Sequence, residues 1–222
     1  MADPVAHTIA YYDRHAAAFA GQTAELDLSP LYDRFLRRIR PGGRILDAGC
    51  GPGRDTIAFA QRGYEVIALD ASEEMVALAR KRVADRAAVY AMRFEGIFWR
   101  DEFDGIWACA SLLHVPSSDF AEVASRLAEA LRPGGTWYMS FKLGVGERRA
   151  DGRLFVDHTE ETLRCALRSA PVQIEEVWTS EDVRPGRAAE RWLNAIAVRP
   201  SAVAASGENR ENDRIQRAEG AG

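Results

Sequence analysis

Cysteine is scarce in this chain. Three occur in 222 residues, at Cys50, Cys109 and Cys165, and their spacing matches neither a disulfide framework nor a metal site. No metal is expected, and Cys50 and Cys109, at the ends of predicted strands, read as small apolar residues. No apolar run approaches the ~20 residues of a membrane span, and none follows a basic start; a soluble, cytoplasmic protein with no membrane partner is expected. Positive charge is not in excess: 29 Lys and Arg face 33 Asp and Glu, a net charge of −4. That argues against a protein whose main affinity comes from neutralising phosphates, so nucleic acid is not an expected partner. Two nucleotide signatures are missing as well. Arg54 stands where the dinucleotide fingerprint needs its third glycine, and no Gly-Lys-Ser/Thr phosphate loop occurs. There is no internal repeat.

What is present centres on Arg44-Ile-Leu-Asp-Ala-Gly-Cys-Gly-Pro-Gly-Arg-Asp55. Ile45 and Leu46 read as the end of a buried strand, Gly49, Gly51 and Gly53 as a tight turn, and Asp55-Thr56 as the start of a helix. Strand, glycine turn and helix N-terminus together describe a nucleotide-type site at the carboxyl end of a first strand. Tyr64-Glu-Val-Ile-Ala-Leu-Asp70 then ends a second strand on an acid, about the ~20 residues downstream at which an acid reaches a ribose hydroxyl.

The rest of the chain alternates. An alanine-rich helix covers residues 1–20, and a second helix opens at Ser29-Pro30 with Ser29 as its cap. Ser72 caps a helix with Glu73 and Glu74 in its first turn. Strands follow at 89–94 and 103–110, a turn at 111–116, then a helix for which Asp119 and Glu122 form a capping box. A fifth strand runs over 136–141, and a helix starts at Thr159. Residues 172–180 and 191–198 are strands joined too closely for a crossover, so they pair antiparallel. The expected fold is α/β: a doubly wound, mostly parallel seven-stranded sheet closed by an antiparallel C-terminal hairpin. With 47% hydrophobic residues, one core suffices. The expected organisation is an N-terminal helical arm or lid at 1–28, one domain at 29–199, and a disordered tail at 200–222.

Four consecutive pieces carry a resemblance: the glycine turn, Asp70, the segment Phe103-Asp-Gly-Ile-Trp-Ala-Cys-Ala-Ser-Leu-Leu-His-Val-Pro116, and Leu131-Arg-Pro-Gly-Gly-Thr-Trp-Tyr-Met139. Together they resemble class I S-adenosylmethionine-dependent methyltransferases of the small bacterial type, over about residues 30–198. The resemblance implies S-adenosyl-L-methionine as cofactor, S-adenosyl-L-homocysteine as product, and no metal. It implies that Gly49, Gly51 and Gly53 let the backbone approach the methionine part, that Asp47 orients that part, and that Asp70 accepts from the ribose hydroxyls. Ser72 and Met75 fall where the family contacts adenine; Phe94 and Glu95 resemble the position that recognises its amino group, though the family more often has Asp there. Cys109 ends the fourth strand beside the cofactor. Tyr11 and Arg14 are candidates for the lid.

The sulfonium methyl is already activated, so the protein must mainly hold a nucleophile in line and exclude water. His114, just after the fourth strand, is the candidate base, weighed equally against a turn-capping or cofactor-contacting role; His7, His15 and His158 are not expected to act. Ser111, His114, Lys142 and Arg149 are candidates for the substrate side, Lys142, Arg148 and Arg149 through a carboxylate or phosphate. Trp107, Trp178 and Trp192 read as core. The reading is methyl transfer to nitrogen or oxygen of a small molecule, by a monomer or homodimer. A tRNA or protein methyltransferase, or a non-catalytic cofactor-binding protein, are the alternatives.

Overall fold

The computed structural model describes residues 3–184, 186–187 and 189–201; most of the expected tail at 200–222 lies outside them. A single sheet organises the chain. Its strands are β1 (Arg44–Ala48), β2 (Glu65–Asp70), β3 (Ala88–Ala91), β4 (Phe103–Ala108), β5 (Leu131–Lys142), β8 (Gln173–Glu181) and β9 (Arg191–Val198), in the order β3-β2-β1-β4-β5-β9-β8. All pairs are parallel except β5–β9 and β8–β9. The order reverses between β1 and β4. The strands' carboxyl ends open a crevice there, where ligands bind in such sheets.

Helices α1 (Pro4–Thr23), α2 (Ser29–Leu36), α3 (Arg54–Gln61), α4 (Glu73–Val83), α5 (Phe120–Ala130) and α6 (Glu160–Ala166) accompany the sheet. The strands read as buried runs because both faces are covered. One face packs Phe35, Ile45, Phe59 and Trp107, all fully buried; Trp107 stacks on Tyr138 with ring centroids 4.0 Å apart. The other face packs Leu46, Ile106, Trp137 and Leu127.

Local signals hold at several ends and fail at others. The Ser72 side chain caps α4 by accepting from Met75 N–H, and Thr159 caps α6 in a reciprocal box with Thr162. Ser29 is instead the first residue of α2, and Asp27 Oδ1 accepts the Ser29 N–H at 2.9 Å. The box expected at Asp119 does not form: Asp119 occupies the cap position but its side chain accepts no helix N–H, Ser118 Oγ donates to its carboxylate, and Glu122 pairs with Arg126 one turn on. The larger correction lies after β5. Between the fifth strand and Thr159, where no strand was expected, the chain forms an antiparallel hairpin, β6 (Gly146–Ala150) and β7 (Arg153–Asp157). Its signal was Asp151-Gly152, a turn dipeptide between two short strands; both residues take positive φ.

Candidate active site

The glycine turn is shaped by its neighbours. A Cβ on Gly49, at φ +84°, would lie 2.3 Å from the Ser111 Cβ, and one on Gly53 would lie 3.0 Å from the Ala79 Cα. Gly49 thus admits β4's following loop, and Gly53 admits α4. Gly49 and Cys50 both donate backbone N–H groups to the Leu69 carbonyl, which ties the turn to β2.

Asp70 ends β2 inside the crevice. Its Oδ2 accepts from Gly51 N–H and its Oδ1 from Ser72 N–H, each at 2.9 Å. Burial raises its pKa above the ordinary carboxylate value against those backbone bonds. The carboxylate is oriented by main chain, keeps lone pairs toward the cavity, and forms no ion pair among the described residues.

Two other acids lie beneath the turn. Asp47 does not line the cavity; it is buried and accepts from Thr56 Oγ1 at 2.6 Å. Burial, reinforced by the negative charge of Asp55, pushes its pKa up to about 8. Asp55 was read only as a helix start. It accepts from Tyr32 Oη (2.5 Å), Trp107 Nε1 (2.8 Å) and the Arg54 guanidinium (2.6 and 3.0 Å). Burial works to raise its pKa, but Arg54 and these hydrogen bonds outweigh it and hold it below the ordinary value.

A cavity of about 870 Å³ opens above this platform, within the ~300–1,000 Å³ range of small-ligand sites. Gly49, Gly51, Asp70, Ser72, Met75, Phe94, Glu95, Cys109, Ser111, His114 and Lys142 all line it. Gly53, Asp47, Tyr11, Arg14 and Arg149 do not. Arg14 is exposed and bonds the Ala10 carbonyl of its own helix; Arg149 is exposed on β6. Tyr11 stacks on His15 with centroids 4.2 Å apart.

Tyr12, not Tyr11, faces the cavity, and helical spacing carried that signal: Thr8, Tyr12, Phe19 and Thr23 share the lining face of α1. Tyr12 Oη lies 2.8 Å from His114 Nε2, and His114 Nδ1 lies 2.6 Å from the Leu154 carbonyl. A carbonyl only accepts, so Nδ1 carries the proton and Nε2 accepts from the Tyr12 hydroxyl. Burial lowers the His114 pKa to about 4, against the Leu154 hydrogen bond and helped by Arg153. His114 is therefore neutral, and its lone pair is engaged.

Further bonds hold α1 across the opening: Asp13 Oδ1 accepts from Ser72 Oγ at 2.6 Å, and Thr8 Oγ1 from Leu154 N–H at 3.0 Å. Lys142 lines the cavity but is engaged by Asp182 at 3.1 Å and by Glu190. Its ammonium lies 4.0 Å from the centre of the Trp192 ring, and Trp192 faces the cavity as well as the core. Trp178 lies at the edge of the core under Arg34. No group of three or more His, Cys, Asp or Glu among the described residues could hold a metal ion, and no described helix is long and apolar enough to cross a membrane.

Comparison with known proteins places this geometry. The family described as a methyltransferase domain matches residues 45–135. The chain is 32% identical over 112 residues to the methyltransferase GfsG of Streptomyces halstedii, covering 47% of this chain and 39% of that protein. It is 29% identical over 188 residues to a ubiquinone biosynthesis O-methyltransferase of Xanthomonas campestris pv. campestris (strain B100), covering 72% and 77%. It therefore spans about two fifths of the first relative and about three quarters of the second. Among solved structures, the fold is shared with a Burkholderia thailandensis 1,6-didemethyltoxoflavin-N1-methyltransferase that holds S-adenosylhomocysteine, at TM-score 0.75, 23% identity, and 90% and 92% coverage. The glycine turn, the acid ending β2, the sheet order and these matches agree in supporting a class I S-adenosylmethionine-dependent methyltransferase, the group to which the chain is similar.

Proposed function

We propose that the protein transfers a methyl group from S-adenosyl-L-methionine to a nitrogen or oxygen of a small molecule. The observation that carries this is one cavity lined both by Asp70, Ser72, Met75, Phe94 and Glu95 and by Tyr12, His114 and Phe155. Helix α1 lies against it through Asp13 on Ser72, Tyr12 on His114 and Thr8 on Leu154. A cavity covered in this way favours a compact acceptor over a tRNA or protein substrate.

The residues present suit the cofactor. Asp70 offers a fixed carboxylate with free lone pairs to a pair of ribose hydroxyls. Met75 and Phe94 supply polarisable and aromatic surface for an adenine, with Glu95 beside them. Asp47 acts from beneath by holding Thr56 and the start of α3. When bound, the cofactor supplies a methyl carbon already activated by its sulfonium. The chain's own work is then positioning and exclusion of water. In this reading α1 is a lid, held shut by Tyr12, Asp13 and Thr8. His114 serves as a positioning residue rather than a free base, because its Nε2 holds the Tyr12 hydroxyl. That bond leaves the Tyr12 oxygen with acceptor capacity toward an acceptor's N–H or O–H.

The test begins with calorimetric titration by S-adenosylmethionine and, separately, by NADH. Binding of the first alone is expected; no binding, or tight NADH binding, overturns the cofactor assignment. Labelled-methyl transfer to fractionated metabolite, tRNA and protein pools follows. Label in metabolites is expected; label in tRNA or protein overturns the small-molecule reading, and cofactor retained unreacted against all pools favours a non-catalytic binder.

A further inference from the structure

The cations around the cavity differ in one respect. Arg54 makes a two-point pair with buried Asp55. Lys142 and Arg184 share Asp182, and Arg148 makes a two-point pair with Asp157. Each of these guanidinium or ammonium groups pairs with a largely buried carboxylate. Among the described residues, Arg153 pairs only with an exposed one. Its ion pair is a 3.4 Å contact from Nη2 to Asp151, whose side chain is 77% exposed, and such exposed pairs contribute little. Its Nε is buried without a hydrogen-bond partner among the described residues, and the Arg153 side chain is only 17% exposed.

The surroundings of Arg153 are aromatic. Its guanidinium carbon lies 4.3 Å from the Tyr11 ring centre, 5.0 Å from that of Phe155 and 5.8 Å from that of Tyr12. These rings draw water away from the guanidinium and fix its plane. A desolvated cation without a full partner costs free energy, and an anion entering the cavity would recover it. A guanidinium whose faces are covered by rings offers its edge, the geometry that matches a planar carboxylate. The cavity is thus bipolar: among the described residues the carboxylate of Asp70 has no cation, and Arg153 has only the exposed Asp151.

We infer that the methyl acceptor is a planar aromatic acid, its carboxylate held by Arg153 and its ring received by the aromatic wall of Tyr12 and Phe155. The inference rests on the methyltransferase reading of the cavity. It moves the anion-binding role from Lys142, Arg148 and Arg149, where the sequence pointed, to β7 of the hairpin.

Calorimetry of the full chain loaded with S-adenosylhomocysteine tests it, with hydroxybenzoates and aminobenzoates of every ring position as probes, each beside its neutral carboxamide. Titration with S-adenosylhomocysteine alone is done first; failure there counts against the methyltransferase reading itself. With that step passed, at least one acid is expected to bind tenfold or more tighter than its carboxamide. Arg153→Met abolishes that preference, and Arg153→Lys, which keeps a point charge without the fork, retains part of it. Thermal melting checks that each variant is folded, and Arg153→Lys alone decides the matter if Arg153→Met is not. Equal binding of acids and carboxamides, no binding of any acid, or a preference undiminished in a folded variant overturns the inference.

Discussion

The Tyr12 hydroxyl donates to His114 Nε2 across 2.8 Å, joining the first helix of the chain to the loop that leaves β4. This one bond fixes the histidine's tautomer, engages its lone pair and fastens α1 over the cavity. Tyr12→Phe is expected to leave Nε2 unpartnered and to cost about 1–3 kcal/mol of stability. Denaturant titration measures the loss, and limited proteolysis is expected to cut near residues 3–23 sooner in the variant.

Neutral His114 also makes stability depend on pH. Its pKa is lowered from 6.5 to about 4 in the folded chain, so between these values the unfolded chain binds more protons. The contribution is fully present above pH 6.5 and lost as pH falls toward 4, at about 1.4 kcal/mol per pH unit. From pH 7 to pH 5 the wild type is therefore expected to lose about 2 kcal/mol more than His114→Gln, which titrates nothing at this position. Denaturant melts of both proteins at the two pH values check this, and parallel losses would refute it.

Asp70→Ala removes the carboxylate that Gly51 and Ser72 orient. S-adenosylmethionine affinity is expected to fall by about 1.5–3 kcal/mol, the value of hydrogen bonds to a charged group. Calorimetry reads the change; unaltered affinity would remove Asp70 from the site.

Beneath the turn, Asp55 balances the charge of Arg54 while satisfying Tyr32 and Trp107. Asp55→Ala leaves the half-buried Arg54 guanidinium uncompensated and buried Trp107 Nε1 without its acceptor, and is expected to destabilise the fold by about 2–4 kcal/mol. A change below 1 kcal/mol in chemical denaturation would contradict the buried pair.

Two glycines with nearly equal φ separate strain from crowding. Gly63, at φ +85°, has nothing within 4 Å of where a Cβ would lie, whereas Gly49, at φ +84°, has the Ser111 Cβ at 2.3 Å. Gly63→Ala is expected to cost about 1–2 kcal/mol from the backbone alone, and Gly49→Ala distinctly more. Thermal melts of both variants compare them.

The succession of the sheet's seven strands along the chain, the glycine turn, Asp70 and the closing antiparallel pair were legible in the chain because each is a local event. Periodicity reports which face is covered, and a glycine triplet between a strand and a helix reports a tight turn. Ser72 kept its capping role for the same reason, and the helix expected from Thr159 begins there. The charged residues were not legible in this way. Lys142 and Arg149 looked like anion binders, but Lys142 is engaged by Asp182 and Glu190, 40 and 48 residues on, and Arg149 stands on the outer side of a hairpin. The partners of Asp55, Tyr32 and Trp107, lie 23 and 52 residues from it, and Tyr12 meets His114 across 102 residues. The sequence by itself determined the sheet, its turn and the acid that ends β2, since neighbouring residues dictate these. Only the tertiary structure decided which charges are spent on one another and which remain for a ligand, because a charge's free energy depends on what folding brings within a few ångströms of it.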